Sequence, residues 1–305
     1  MTVLAGLVPV FLLLVVGVVA RRFGVLDDPA ANGLNRLVTN VALPALFIST
    51  VGTAPLESAF SPPVILATSL ASVAIAAAAL LVARSWRLPA NQRGVMAQAS
   101  QRGNIVYFTF PIILAMYGQS GLQLAAVTST LLIPVMNLLA VGSLELHRAP
   151  SKGKAHFLVR VVANPLVSSA LLGLGLAAVH WKPWAWLDNG LKILAGLAFP
   201  GALLALGAQL EVGKWRAYAR QLGAVGALKL AAMPALGWWL LILLHASRRD
   251  TAIGVLLLAS PTAVASHSVA ADLGGDIELA SACVLVTTIA SVVTYAAWSL
   301  LLGTR

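Results

Sequence analysis

Two short stretches carry the residues best suited to chemistry, Arg102-Gly103-Asn104 and Ser260-Pro261-Thr262, each midway along a hydrophobic run long enough to cross a bilayer. A Gly-Asn or Ser-Pro step costs helix propensity, and Pro removes a backbone donor, so both runs are predicted to break at bilayer depth. Freed N–H and C=O groups find no water in hydrocarbon and are tolerated only against protein or a wet cavity. Two such breaks in corresponding positions point to a central binding site. Arg102 and Lys229 each sit well inside a span, where a cation costs roughly 2.5–3.5 kcal/mol to insert. Acidic partners are absent at that depth: Glu145 and Glu211 lie at span ends and the other Asp and Glu residues in loops or flanks. Such a cation either snorkels to the interface or waits for an anion. With half-helix N-termini adding donors and partial positive charge, an organic carboxylate is the ligand these residues suit.

Other polar groups in the spans have two readings each. Asn104 can donate to a carboxylate or satisfy the backbone released at the break, and Asn40 before Pro44 and Asn137 after Pro134 share that ambiguity. His267 is the one ionisable group in the core of the ninth span. It could carry a coupled proton or simply be a hydrogen-bonded packing residue. The hydroxyls of Ser260, Thr262, Ser266 and Ser268 either line a cavity or bond back to their own helix. Gly118-Gln119-Ser120-Gly121 fits the loose pattern of rhomboid-type intramembrane serine proteases with His267 as base, but reads more simply as a helix stop and start. No paired buried Asp, metal-ligand spacing or phosphate-binding glycine loop occurs, so the chain is expected not to be an enzyme and to need no metal or cofactor.

These groups must be positioned by membrane spans. The chain of 305 residues is 59% hydrophobic and 10% charged, with mean hydropathy +0.90; this is the composition of a polytopic membrane protein. Its net charge of +10 comes from Lys and Arg in short loops, which orient the chain in the bilayer and give no nucleic-acid signal. Cys283, alone in a hydrophobic run, reads as a packing residue. The first apolar run precedes Arg21-Arg22 and is expected to stay as a span, since no basic region opens the chain as in a cleaved signal. At about 20 apolar residues per span, ten are expected: 3–20, 33–51, 63–83, 93–117, 121–143, 158–180, 190–210, 221–245, 250–273 and 277–302. Basic residues favour both termini on the outer side, although Arg248-Arg249 vote the other way.

Sliding the chain on itself by 156 residues sets Pro9 on Pro165, Gly17 on Gly173, Pro44 on Pro200, Arg93 on Arg249 and Gly118 on Gly274. Prolines and glycines at matching depth mark matching departures from plain helix. Five spans per copy is odd, so the second copy enters from the opposite side. The expected fold is all-α: ten transmembrane helices in two inverted five-helix repeats, residues 1–146 and 158–305, joined by a short basic cytoplasmic linker at 147–157, with helices 4 and 9 broken and face to face across a pseudo-twofold axis.

Leu34-Asn35-Arg36-Leu37-Val38 through Leu43-Pro44-Ala45-Leu46, Gly103-Asn104 through Phe110-Pro111 and Met116-Tyr117-Gly118, and Ala205-Leu206-Gly207-Ala208-Gln209-Leu210 resemble the auxin efflux carrier family. So does Ser260-Pro261 followed by Asp276 and a hydroxyl-rich tenth span; the likeness covers nearly the whole chain. It implies a scaffold of helices 1, 2, 6 and 7, a mobile transport part of helices 3–5 and 8–10, and a homodimer through the scaffold. It also implies that Asn104 and Pro261 are the crossover residues near a substrate carboxylate. Plant members have Pro where this chain has Gly103, and a large soluble loop where it has only His147 to His156. Sodium-coupled bile acid carriers look like more distant relatives, but the acidic residue they use in helix nine has no counterpart between Ser260 and Ala271.

The sequence therefore reads as a secondary active, elevator-type carrier in the plasma membrane, the inner membrane of a bacterium. Its partners are the lipid bilayer and a small organic anion, such as a mono- or dicarboxylate or an auxin-like acid. The expected substrate-binding residues are Arg102, Gly103, Asn104, Ser260, Pro261, Thr262, Asn40, Asn137 and Lys229. An anion channel is the alternative, and a rhomboid-like protease a more remote one.

Overall fold

The computed structural model describes residues 3–146, 165–210 and 215–303; the linker predicted at 147–157 lies outside them. Among the described residues the chain is helical without a strand, as expected of an all-α protein. Six helical stretches among the described residues are long and apolar enough to cross a membrane: Asp28–Gly52, Pro62–Ser85, Ile105–Glu145, Ala185–Ala208, Trp215–Leu243 and Ile277–Leu301. In chain order the helices are α1 (Val3–Arg22), α2 (Asp28–Leu37), α3 (Leu43–Gly52), α4 (Leu56–Ala59), α5 (Pro62–Ser85), α6 (Ala90–Gln101), α7 (Phe110–Glu145) and α8 (Pro165–Ala178). There follow α9 (Ala185–Gly196), α10 (Ala198–Ala208), α11 (Ala219–Gly226), α12 (Met233–Leu243), α13 (Arg248–Leu258), α14 (Ala265–Asp272) and α15 (Ile277–Leu301).

Proline explains most of the irregularities. Wide, π-type turns at Val38–Ala42, Ile105–Thr109 and Ala227–Ala232 each run up to a Pro two residues on, Pro44, Pro111 and Pro234. A proline ring crowds the carbonyl four residues back and offers no N–H to it, and a wider turn relieves both problems. The carbonyl so released before Pro234 is that of Leu230, and the Trp298 indole N–H donates to it at 2.8 Å. The predicted fourth and fifth spans join in α7, where Gly118 (φ 65°, ψ −165°) is the one non-helical residue and forms the expected stop and start. Only glycine takes that conformation without strain.

The chain divides into two compact units. The first comprises Met1–Ser61, Val106–Leu131 and Lys154–Gln209. In it α1 packs on α10, and α3 packs on α8 and α9. Apolar side chains gain little by leaving lipid for one another, so such helices associate through close backbone contact at small residues. A Cβ built on Gly17 would run into the Leu204 carbonyl oxygen and come within 3.1 Å of the Gly207 Cα. One built on Gly207 would run into the Leu14 carbonyl oxygen. Gly173 of α8 lies in the same way against α3, where an added Cβ would come within 3.0 Å of the Phe47 carbonyl oxygen and the Val51 Cβ. Phe11 meets Phe108 edge-on at 5.3 Å, and the Tyr107 hydroxyl bonds Asn35 (3.0 Å) and Thr39 (2.9 Å), fixing the turn that opens α7.

The second unit comprises Pro62–Ile105, Leu132–Gly153 and Leu210–Arg305. Val95, Met96, Ala99, Leu144, Val225, Leu279 and Cys283 are among its buried core, so the single cysteine packs as expected. Asp276 ties three helix starts together. Its carboxylate accepts from Gln92 (3.0 Å), the Tyr218 hydroxyl (3.2 Å) and the Leu279 N–H at the head of α15, and its own N–H donates to Asn91 at 3.1 Å.

Because the obstructing atoms are backbone on both sides, Gly207→Ala forces α1 and α10 apart. Thermal unfolding of the purified protein should show a loss of about 1–3 kcal/mol, whereas Ala at Gly190, with open space around it, should leave the midpoint unchanged.

Candidate functional site

Within the second unit the two interrupted helices meet. At 12 residues α6 is about 18 Å long, and α13 at 11 residues about 16 Å, roughly half a bilayer core each. After α6 the backbone turns extended at Arg102 (φ −81°, ψ 104°); after α13 it passes through Ser260 and Pro261. The two freed segments pair antiparallel as an isolated bridge between Gly103 and Thr262. Asn104 N–H donates to the Pro261 carbonyl at 2.7 Å, and Ala263 N–H to the Arg102 carbonyl at 2.9 Å.

Gly103 is required by space and not by its dihedral angles, since a Cβ there would collide with Ser260 Oγ. Thr262 completes the join: its hydroxyl donates to the Ala99 carbonyl (2.8 Å) and its N–H to Thr287 Oγ1 (3.0 Å). The carbonyls at the end of α13 are likewise covered. Val255 accepts from Ala259 N–H at 2.9 Å, Leu256 from the Tyr295 hydroxyl at 2.8 Å, Leu257 from Ser260 Oγ at 2.8 Å, and Leu258 from Lys229 Nζ at 2.9 Å.

Lys229 lies in the second unit, beside the end of α13. It is wholly buried, so it does not snorkel, and its ammonium is taken by the Leu258 carbonyl and, at 3.3 Å, by Met233 Sδ. The carboxyl end of a helix carries partial negative charge, which is the partner no acidic residue provided.

Around the crossing lie buried polar atoms without a partner: the donors Arg102 Nη1 and Asn104 Nδ2, the acceptors Gln98 Oε1 and Gln101 Oε1, and the hydroxyls of Ser266 and Thr288. Gln98 and Gln101 are fully buried, and their amide groups donate to the carbonyls of Ser266 (3.0 Å) and Met136 (2.9 Å). Buried polar atoms are almost always paired, so such a collection marks a place for water or a ligand.

The structure thus brings Arg102, Gly103, Asn104, Lys229, Ser260, Pro261 and Thr262 to one crossing. Asn137 is half-buried on α7. Asn40 belongs to the first unit; it is exposed and donates to the Arg36 carbonyl of its own helix at 2.8 Å, which is the backbone-satisfying one of its two readings. His267 is exposed on α14, 2.7 Å from Ser281 Oγ, and Ser120 is exposed beside the Gly118 kink. Gln98, Gln101, Thr287 and Tyr295 also reach the crossing, beyond the residues expected there from sequence. The i, i+3 glutamine pair inside an apolar span was the available signal, because an amide in hydrocarbon needs an internal partner.

The family profile described as membrane transport protein matches residues 2–299. The chain is 26% identical over 297 residues to an "uncharacterized transporter" of Methanothermobacter thermautotrophicus, with 96% of each chain covered. It is 29% identical over 313 residues to a "putative malonate transporter" of Rhizobium meliloti strain 1021, covering 96% of this chain and 94% of the relative.

Thr262→Val strips the Ala99 carbonyl of its donor while keeping the side chain's shape. It should cost about 1–3 kcal/mol in thermal or denaturant unfolding, and Ser268→Ala, on an exposed position of α14, should cost almost nothing.

Proposed function

The chain belongs to the membrane transport protein family, and from that premise we propose that it is a secondary carrier of a small organic acid anion, held where the two broken helices cross. The observation that carries the reading is the pair of buried, unpartnered donors on either side of Gly103, Arg102 Nη1 and Asn104 Nδ2. A carboxylate has acceptor sites for both and the charge to match a guanidinium, and charge-assisted hydrogen bonds are the strong ones. Malonate is the first anion to try, given what the Rhizobium relative is called; other mono- and dicarboxylates and indole acids share the recognised group.

We read the architecture as ten helices in two inverted repeats, working by elevator-type alternating access in the plasma membrane with both termini outside. The 156-residue shift supports the repeat: it carries the Gly17–Gly207 contact of α1 with α10 onto the Gly173–Val51 contact of α8 with α3. The two compact units support a scaffold of helices 1, 2, 6 and 7, with Val106–Leu131 grouped alongside it, and a transport part holding the crossing. Exposed Val8, Leu12 and Val15 on α1 suit a lipid-facing or homodimer surface on that scaffold.

Reconstituted into liposomes, the protein should show saturable, trans-stimulated malonate counterflow, which separates a carrier from a channel. Asn104→Ala should weaken apparent affinity by roughly 10- to 100-fold, as expected for losing one hydrogen bond to a charged group. Unchanged affinity in that variant would remove Asn104 from the site.

A further inference from the structure

We propose that the Lys229 ammonium is a built-in cation that occupies, from within the chain, a small cation site at the end of α13, so that the crossing needs no ion from solution. Four observations converge on it. The carbonyls of Val255, Leu256 and Leu257 are covered by neutral donors, whereas the last, Leu258, at the most negative point of the half-helix, receives a charged one. The side chain is wholly buried, and its ammonium contacts a carbonyl oxygen, a group that also binds ammonium and alkali cations, and a weakly accepting thioether sulfur. The opposing backbone comes down directly on it, since a Cβ on Gly103 would lie 3.2 Å from Nζ. Finally, the wide turn Ala227–Ala232 holds Lys229 one helical turn before Met233, whose sulfur closes the site.

The assignment differs from a substrate contact. Two of the three ammonium donors are engaged by the protein before any anion arrives, so the fold holds the charge in place. Removing the head group leaves a pocket of lone pairs at the negative end of a helix, with Ser260 Oγ beside Gly103. That pocket should accept a small free cation.

The test needs no transported substrate and therefore stands or falls apart from the carrier reading. Thermal unfolding of the purified full-length protein is compared in choline, sodium and methylammonium chloride at equal ionic strength. Wild type should melt at the same temperature in all three. Lys229→Ala should melt roughly 2–5 °C lower in choline, the shift expected for losing a charged hydrogen bond in a chain of this size. It should regain most of that loss in methylammonium, which restores the missing head group, and part of it in sodium. Lys229→Met, whose stem fills the slot, should be lowered equally in all three salts. Identical melting of Lys229→Ala in the three salts would overturn the proposal, as would a gain of wild type in sodium over choline. If Lys229→Ala does not fold, Lys229→Met decides: melting as wild type in choline overturns the proposal, and an equal loss in all three salts supports it.

Discussion

Hydrocarbon offers a peptide group nothing to bond, and everything in the second unit follows from two helices that stop where hydrocarbon would surround them. An unpaired backbone group costs several kcal/mol in that setting, so the freed segments at Arg102–Asn104 and Ser260–Ala263 are stable only because each gives the other its missing partners. The Gly103–Thr262 bridge is a two-residue remnant of sheet pairing put to the use that water serves in a soluble protein.

That constraint selects side chains by reach as well as by polarity. Gly103 is small because Ser260 Oγ already occupies the space a Cβ would need. Thr262, Ser260, Tyr295 and Lys229 each bring one donor to one carbonyl near the breaks. The same accounting leaves a remainder: Gln98, Gln101, Arg102 and Asn104 hold polar atoms that the protein itself does not pair.

The first unit meets a different demand with the same economy of atoms. Its helices have apolar surfaces toward both lipid and protein, so burial discriminates weakly between them, and contact is decided where glycine lets backbones touch. Gly17 and Gly207 are reciprocal in this sense, each lying in the other's helix groove. Proline sets the remaining geometry, with a widened turn ahead of Pro44 and Pro111.

The amino-acid sequence by itself determined the helical membrane class, the location of both breaks and the kink at Gly118. Each of these depends on composition or on a residue's position along a span, which a linear sequence records directly. What tertiary structure decided was rotation and reach: that Lys229 turns inward to a helix end, that Asn40 bonds its own helix, that His267 is exposed beside Ser281, and that Gln98 and Gln101 are buried. In a chain so uniformly apolar the hydrophobic pattern around each helix is nearly flat. The direction a polar side chain faces is then fixed only by the neighbour that packs against it.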